Sequence, residues 1–137
     1  MFKNIMVPVD LTHLEHLERA LSVAADLAKH YAADLYCVGV TTSMPGPVAH
    51  NPSEYAEKLA AFAKQESEKQ GIEIKAQAYS SHDPAVDLDD TLMKAAGELG
   101  IDLAVMGSHQ PGLPEHIFAS NAGYLASHAA ISVLVVR

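Results

Sequence analysis

The sequence predicts an α/β fold: a five-stranded, doubly wound parallel sheet of order 3-2-1-4-5, with helices on both faces. Three observations carry that expectation. Short apolar runs alternate with segments of helical period along the chain. Strands that alternate with helices pair in parallel through right-handed crossovers. A chain of 137 residues, 49 % hydrophobic and 19 % charged, suits one domain (1–137) with a real core.

"NIMVPVD" (4–10) is an apolar run closed by Pro8 and Asp10, and reads as a buried strand. In "LTHLEHLERALSVAADLAKHY", Leu14, Leu17, Leu21, Ala24 and Leu27 fall on one helical face. Thr12 followed three residues later by Glu15 has the form of a capping box, which starts this helix at Thr12. "DLYCVGV" (34–40) is a second strand, and the proline-rich stretch 41–53 is a loop. Tyr55, Leu59 and Phe62 at helical spacing mark a helix that stops at Gly71. Residues 72–79 alternate apolar and polar, as a half-exposed strand near a sheet edge does. Asp83 and Pro84 open a helix that ends at Gly100. Residues 101–107 form a buried strand, a short helix runs from Ser120 to His128 with Ser120 as its cap, and "SVLVVR" (132–137) is a terminal edge strand.

The overall composition narrows the function classes. A formal charge of −8 disfavours non-specific binding to nucleic acid or anionic lipid. No apolar run approaches the roughly 20 residues of a membrane span, and the start "MFKNIMVPVD" lacks the pattern of a secretory signal. The single Cys37 precludes an internal disulfide and suits a cytoplasmic protein.

In a sheet of this order the ligand crevice lies beyond the carboxyl ends of strands one and four. Those ends carry Pro8, Val9 and Asp10, and Met106, Gly107 and Ser108. The loop "GSHQPGL" spaces its glycines as a Walker A loop does but lacks the Lys and Ser/Thr that follow. The pattern GxGxxG is absent after both strands.

At these residues the chain resembles the universal stress protein family over its whole length. "IMVPVD", "LYCVGV", "DLAVMGSH" and "SHAAISVLVVR" carry the likeness. It implies an adenine nucleotide alpha hydrolase-like fold. Nucleotide-binding members carry Gly-x2-Gly-x9-Gly-Ser/Thr after the fourth strand. Here Gly107 fits the first glycine, Gln110 and Ala119 replace the second and third, and Ser120 fits the last position. The spacer is one residue short, and with Pro111 and "SNA" this is most like the F- and G-type branch, regarded as ATP-binding.

The resemblance implies a site of ATP or a related adenine nucleotide. The backbone of Val40 would meet the adenine, Pro8, Val9 and Met106 would line its pocket, and Asp10 would accept hydrogen bonds from ribose or base. Amides of Gly107, Ser108, His109 and Gln110, with Ala119, Ser120 and Asn121 at the helix start, would hold the phosphates. Turn amides and helix N-termini stabilise anions without basic side chains. Between Ile101 and Val136 there is no Lys or Arg, so phosphate charge would have to be offset by amide dipoles, Mg²⁺, or protonated His109 and His116. Affinity should then fall as pH rises past about 6.5.

Other residues read more plainly. His13 and His16, three apart, lack an evident third metal ligand and read as exposed helix residues. Asp87, Asp89 and Asp90 suit a solvated helix start, and Cys37 reads as a buried strand residue. The expected role is a non-catalytic regulatory, stress-response protein acting through a protein partner that the sequence does not identify, with slow ATP hydrolysis left open. A homodimeric interaction module without nucleotide is the alternative, since the family's A-type branch also has Gln at the position of Gln110. A small enzyme such as a nucleotidyl transferase of related fold is the third, short of the basic residues such chemistry uses. The apolar terminal strand favours a homodimer in either of the first two cases.

Overall fold

The computed structural model describes residues 1–14, 17–107 and 119–137, without the side chains at 85 and 119–121. Its elements follow in the order β1 (Asn4–Val9), α1 (Glu18–Tyr31), β2 (Asp34–Thr42), α2 (Pro52–Gln70), β3 (Ile74–Ser81), α3 (Pro84–Glu98), β4 (Leu103–Gly107), α4 (Ala119–His128) and β5 (Ser132–Val136). The five strands form one parallel sheet of order β3-β2-β1-β4-β5, as the sequence predicts. β3 and β5 are its edges.

Alternation along each strand divides the core into two layers. Ile5, Val7 and Val9 of β1 pack with Leu103 and Val105 of β4 against α1 and α2. Met6, Ala104 and Met106 face the other way and pack with Leu92 and Ala95 of α3 and Leu125 of α4. Successive side chains of a strand point to opposite faces, so a strand clothed on both faces is apolar throughout. That explains the unbroken apolar runs of β1 and β4.

Helix ends follow local chemistry. Asn51 caps α2 by accepting the Glu54 N–H at 2.8 Å, with Pro52 in the first turn. The loop read over 41–53 is therefore shorter at both ends, because β2 runs to Thr42. Gly71 closes α2 in the left-handed conformation at φ 69°. α3 stops at Glu98 in a Schellman turn, with Ile101 N–H on the Ala96 carbonyl and Gly100 N–H on that of Gly97. α1 closes the same way, but its left-handed residue is Ala32, at φ 53°.

The start of α1 departs from the expectation. The helix begins at Glu18, and Leu17 at its cap position makes no side-chain capping bond. Thr12 does not cap it, because its hydroxyl and amide are both turned to Asp10. Glu15, the other half of the expected capping box, lies outside the described residues. Strand β3 begins at Ile74, two residues later than read, and sits at the edge as expected.

The starts of β1, the central strand, and β5, an edge strand, are tied at Asp102. Its carboxylate accepts the amides of Lys3 at 2.8 Å and Asn4 at 3.2 Å, and its carbonyl accepts the Ser132 N–H at 3.0 Å. One residue before β4 thus fixes the starts of β1 and β5. None of the described helices is long and apolar enough to cross a membrane.

Candidate functional site

β1 and β4 are neighbours only over part of their length. Their register runs Ile5↔Leu103 and Met6↔Ala104 and then stops, although β1 continues to Val9 and β4 to Gly107. On the other side, β1 stays paired with β2 as far as Val9↔Gly39. Pro8 has no N–H to offer a further rung. In sheets of this order the ligand crevice lies beyond the carboxyl ends of the strands, at the reversal of strand order, which here is between β1 and β4.

The predicted residues divide by position. Pro8 and Val9 end β1, with Asp10 just beyond, and Met106 and Gly107 end β4. Val40 lies in β2, one residue past the partner of Val9, partly buried on the α3/α4 side. Met106 is buried in that same layer. Ser108, His109, Gln110 and His116 lie outside the described residues. Ala119, Ser120 and Asn121 are the first three residues of α4, where N–H groups lack an intrahelical acceptor. Ser120 is thus inside the helix rather than at its cap, and the helix begins one residue earlier than read.

Asp10 is held by its own chain. Its Oδ1 accepts the Thr12 N–H at 2.9 Å and the Thr12 hydroxyl at 2.6 Å, and its Oδ2 lies 3.0 Å from His13 Nδ1. A carboxylate that accepts the amide two residues on forms an Asx turn, and His13 N–H closes the same turn on the Asp10 carbonyl. Burial raises the Asp10 pKa, but the bonds from Thr12 and His13 together outweigh it and hold the carboxyl below its ordinary value. Asp10 is thus ionised and oriented at the lip of the crevice.

A second feature backs it. Tyr55 of α2 is buried, and its phenol is pushed up by burial first and the Asp10 charge second. The ring lies over Gly39, where an added Cβ would stand 2.5 Å from Tyr55 Oη and 3.0 Å from its Cε1. Absence of a side chain at position 39 is what lets α2 bring its first turn down onto β2.

His13 was read as a residue on an exposed helix face; it precedes α1 and binds Asp10 instead. The signal was available, as Thr12 and His13 stand two and three residues after the aspartate, within reach of an Asx turn. His16 lies outside the described residues. Of the acids of α3, Asp90 is exposed as read, while Asp89 is less solvated than read. Among the described residues Asp89 Oδ1 is buried without a hydrogen-bond partner, and burial, then Asp90, raises its pKa. Cys37 is buried as expected, and its thiol is pushed up to about 12 by burial and by Glu66. Among the described residues no group of three or more His, Cys, Asp or Glu could hold a metal. An open groove of about 260 Å³ lies between α1 and α2, lined by Leu21 and Phe62 and by Glu18 and Lys69, and none of the predicted site residues borders it.

Comparison with known proteins gives a consistent answer. A model of the Universal stress protein family matches residues 1–137. The chain is 30 % identical to Universal stress protein G of Escherichia coli O157:H7 over 148 aligned positions, covering 100 % of both. It is similar to the crystal structure of a protein from the same family from Burkholderia pseudomallei, with a TM-score of 0.69, 26 % identity, and 98 % and 95 % of the two chains covered. The structure of the universal stress protein from Archaeoglobus fulgidus in complex with dAMP also has a TM-score of 0.69, at 20 % identity over 98 % of each chain.

Proposed function

The chain belongs to the universal stress protein family, and from that premise we propose that it is a non-catalytic regulatory protein of the stress response that binds ATP or a related adenine nucleotide, with Mg²⁺. The observation that carries this reading is the crevice between the ends of β1 and β4, with the ionised carboxylate of Asp10 at its lip. A carboxylate there is an acceptor for ribose hydroxyls or a base amino group. Val40, partly buried beside the fully buried Met106, offers an apolar surface, and the first turn of α4 offers amide N–H groups for phosphate. The similar protein from Archaeoglobus fulgidus, in complex with dAMP, supports an adenine nucleotide as the ligand class. On this reading Gly107, Ser108, His109 and Gln110 complete the phosphate site, and the protein acts in the cytoplasm through a protein partner.

A homodimer accompanies this proposal. β5 is an edge strand, and its Leu134 and Val135 are exposed at 37 % and 47 %. Apolar side chains on an open edge favour pairing with a second copy across a two-fold axis. The same observation supports the second reading, a dimeric interaction module that holds no nucleotide.

Nucleotide carry-through separates the two. The purified protein is denatured and the supernatant analysed for adenine nucleotide by absorbance and chromatography, with Mg-ATP titration of the emptied protein as a companion. A 1:1 ratio of nucleotide to chain is the expected outcome. No release and no binding of added Mg-ATP would overturn the nucleotide reading and leave the interaction module.

A further inference from the structure

Tyr55 is a buried phenol whose hydroxyl is unused by the fold. The side chain is 5 % exposed. Among the described residues its Oη makes no hydrogen bond, and it is not one of the two buried oxygens without a partner, which are Glu66 Oε2 and Asp89 Oδ1. The oxygen therefore reaches open space from an otherwise buried ring. A buried tyrosine hydroxyl normally bonds a protein group, and one that does not is available to something outside the chain.

Its position links it to the candidate site. The ring lies over Gly39, with Oη 2.5 Å from where a Cβ would stand. Gly39 precedes Val40 and pairs with Val9, the last rung between β1 and β2, and Asp10 follows Val9. Parallel strands lie about 4.8 Å apart, so the hydroxyl stands beside the end of β1. The phenol feels the Asp10 charge, as near neighbours do.

We propose that Tyr55 is a specificity-determining residue of this crevice, its hydroxyl donating to a ribose hydroxyl of the bound nucleotide beside the carboxylate of Asp10. The inference rests on the nucleotide reading above and adds to it a residue and a preference for ribose over deoxyribose. The chemistry is complementary. Asp10, ionised, only accepts, and the amide and hydroxyl of Thr12 take part of its capacity of about four acceptor positions. Tyr55, neutral, brings a proton to give. The adjacent hydroxyls of ribose each donate and accept, so they answer both groups. The adenine edge also sets a donor beside an acceptor, but on the nucleotide reading the backbone of Val40 takes that edge. A ligand without a hydroxyl that the site is built to bond is rejected, because the buried partner is left unpaired.

AMP, 2′-deoxy-AMP and 3′-deoxy-AMP are the probes, measured by calorimetry on the wild type and on Tyr55→Phe. The variant should bind AMP about five- to tenfold more weakly. For at least one deoxy analogue, the one lacking the bonded oxygen, the two proteins should bind alike. An equal loss for all three ligands puts Tyr55 on the base or on the fold and overturns the proposal, as does an AMP affinity that the substitution leaves unchanged. Both results leave the nucleotide reading in place. If no ligand binds the wild type, the nucleotide reading fails and the proposal with it. Stability is the second readout. A hydroxyl without a protein partner adds nothing to the unliganded fold, so Tyr55→Phe should unfold in urea at the wild-type midpoint or above it. A variant that is markedly less stable, or does not fold, reveals a structural partner for the hydroxyl and overturns the proposal.

Discussion

Gly39 lies directly beneath Tyr55, so closely that a Cβ at position 39 would stand 2.5 Å from the phenol oxygen and 3.1 Å from Leu59 Cδ2. Gly39→Ala must therefore push α2 off β2, and overpacking of this kind costs about 1–3 kcal/mol. Tyr55→Phe removes the nearest atom. Urea unfolding of the double variant should recover part of the loss, and strictly additive effects would show that the two positions do not press on each other.

Thr12 contributes through Asp10. Thr12→Val deletes a hydroxyl donor to a charged acceptor and should cost about 1–2 kcal/mol at pH 7. Because the folded state holds the Asp10 carboxyl below its unfolded value, its contribution is present above the unfolded pKa and lost as pH falls through the folded one. Denaturation at pH 7 and pH 3 should thus show the variant's deficit shrinking in acid. A deficit equal at both would place its origin elsewhere.

Cys37 should be inert while the protein is folded. It is buried, and its thiol is pushed up to about 12, so little thiolate exists at neutral pH. Labelling with a disulfide reagent at pH 8 should be slow and should accelerate with urea in step with unfolding. Fast labelling of the native protein would contradict the packing of β2 beneath α1 and α2.

Ala32 holds a left-handed conformation, φ 53° and ψ 43°, at the end of α1. A Cβ there costs about 1 kcal/mol or more. Ala32→Gly relieves it against a larger entropy loss on folding, for a net gain of roughly 0.5 kcal/mol, and Ala32→Val should lose stability. Thermal unfolding of the three proteins should rank them Gly, Ala, Val.

The sheet was readable because its evidence is distributed. Nine segments announce their period independently, and strand order follows from parallel crossovers and the doubly wound pattern. The turn after β1 was misread because Thr12 and Glu15 spell a capping box, while Asp10, two residues before Thr12, competes for the same hydroxyl. Competition between two local acceptors is invisible to a motif that considers one of them. The role of His13 is hidden in the same way, because its helical spacing to His16 is the plainer local pattern and its bond to the aspartate three residues earlier exists only in that turn. The place of Pro8, Val9, Asp10, Met106 and Gly107 at the ends of β1 and β4 was legible because strand ends at a switch point are fixed by topology. The contribution of Tyr55 depends on Gly39, a contact between β2 and α2 that no local pattern encodes.

Asp102 gives the crevice a place in the order of assembly. Residues 3 and 102 are joined across 99 positions of chain, and β1 meets β4 only when that distance is closed. The half of the sheet made of β3, β2 and β1 draws only on the first part of the sequence and does not contain the β1–β4 seam. Anything that binds between Asp10 and Gly107 therefore recognises a finished molecule, and by mass action it would hold together the longest-range seam in the sheet.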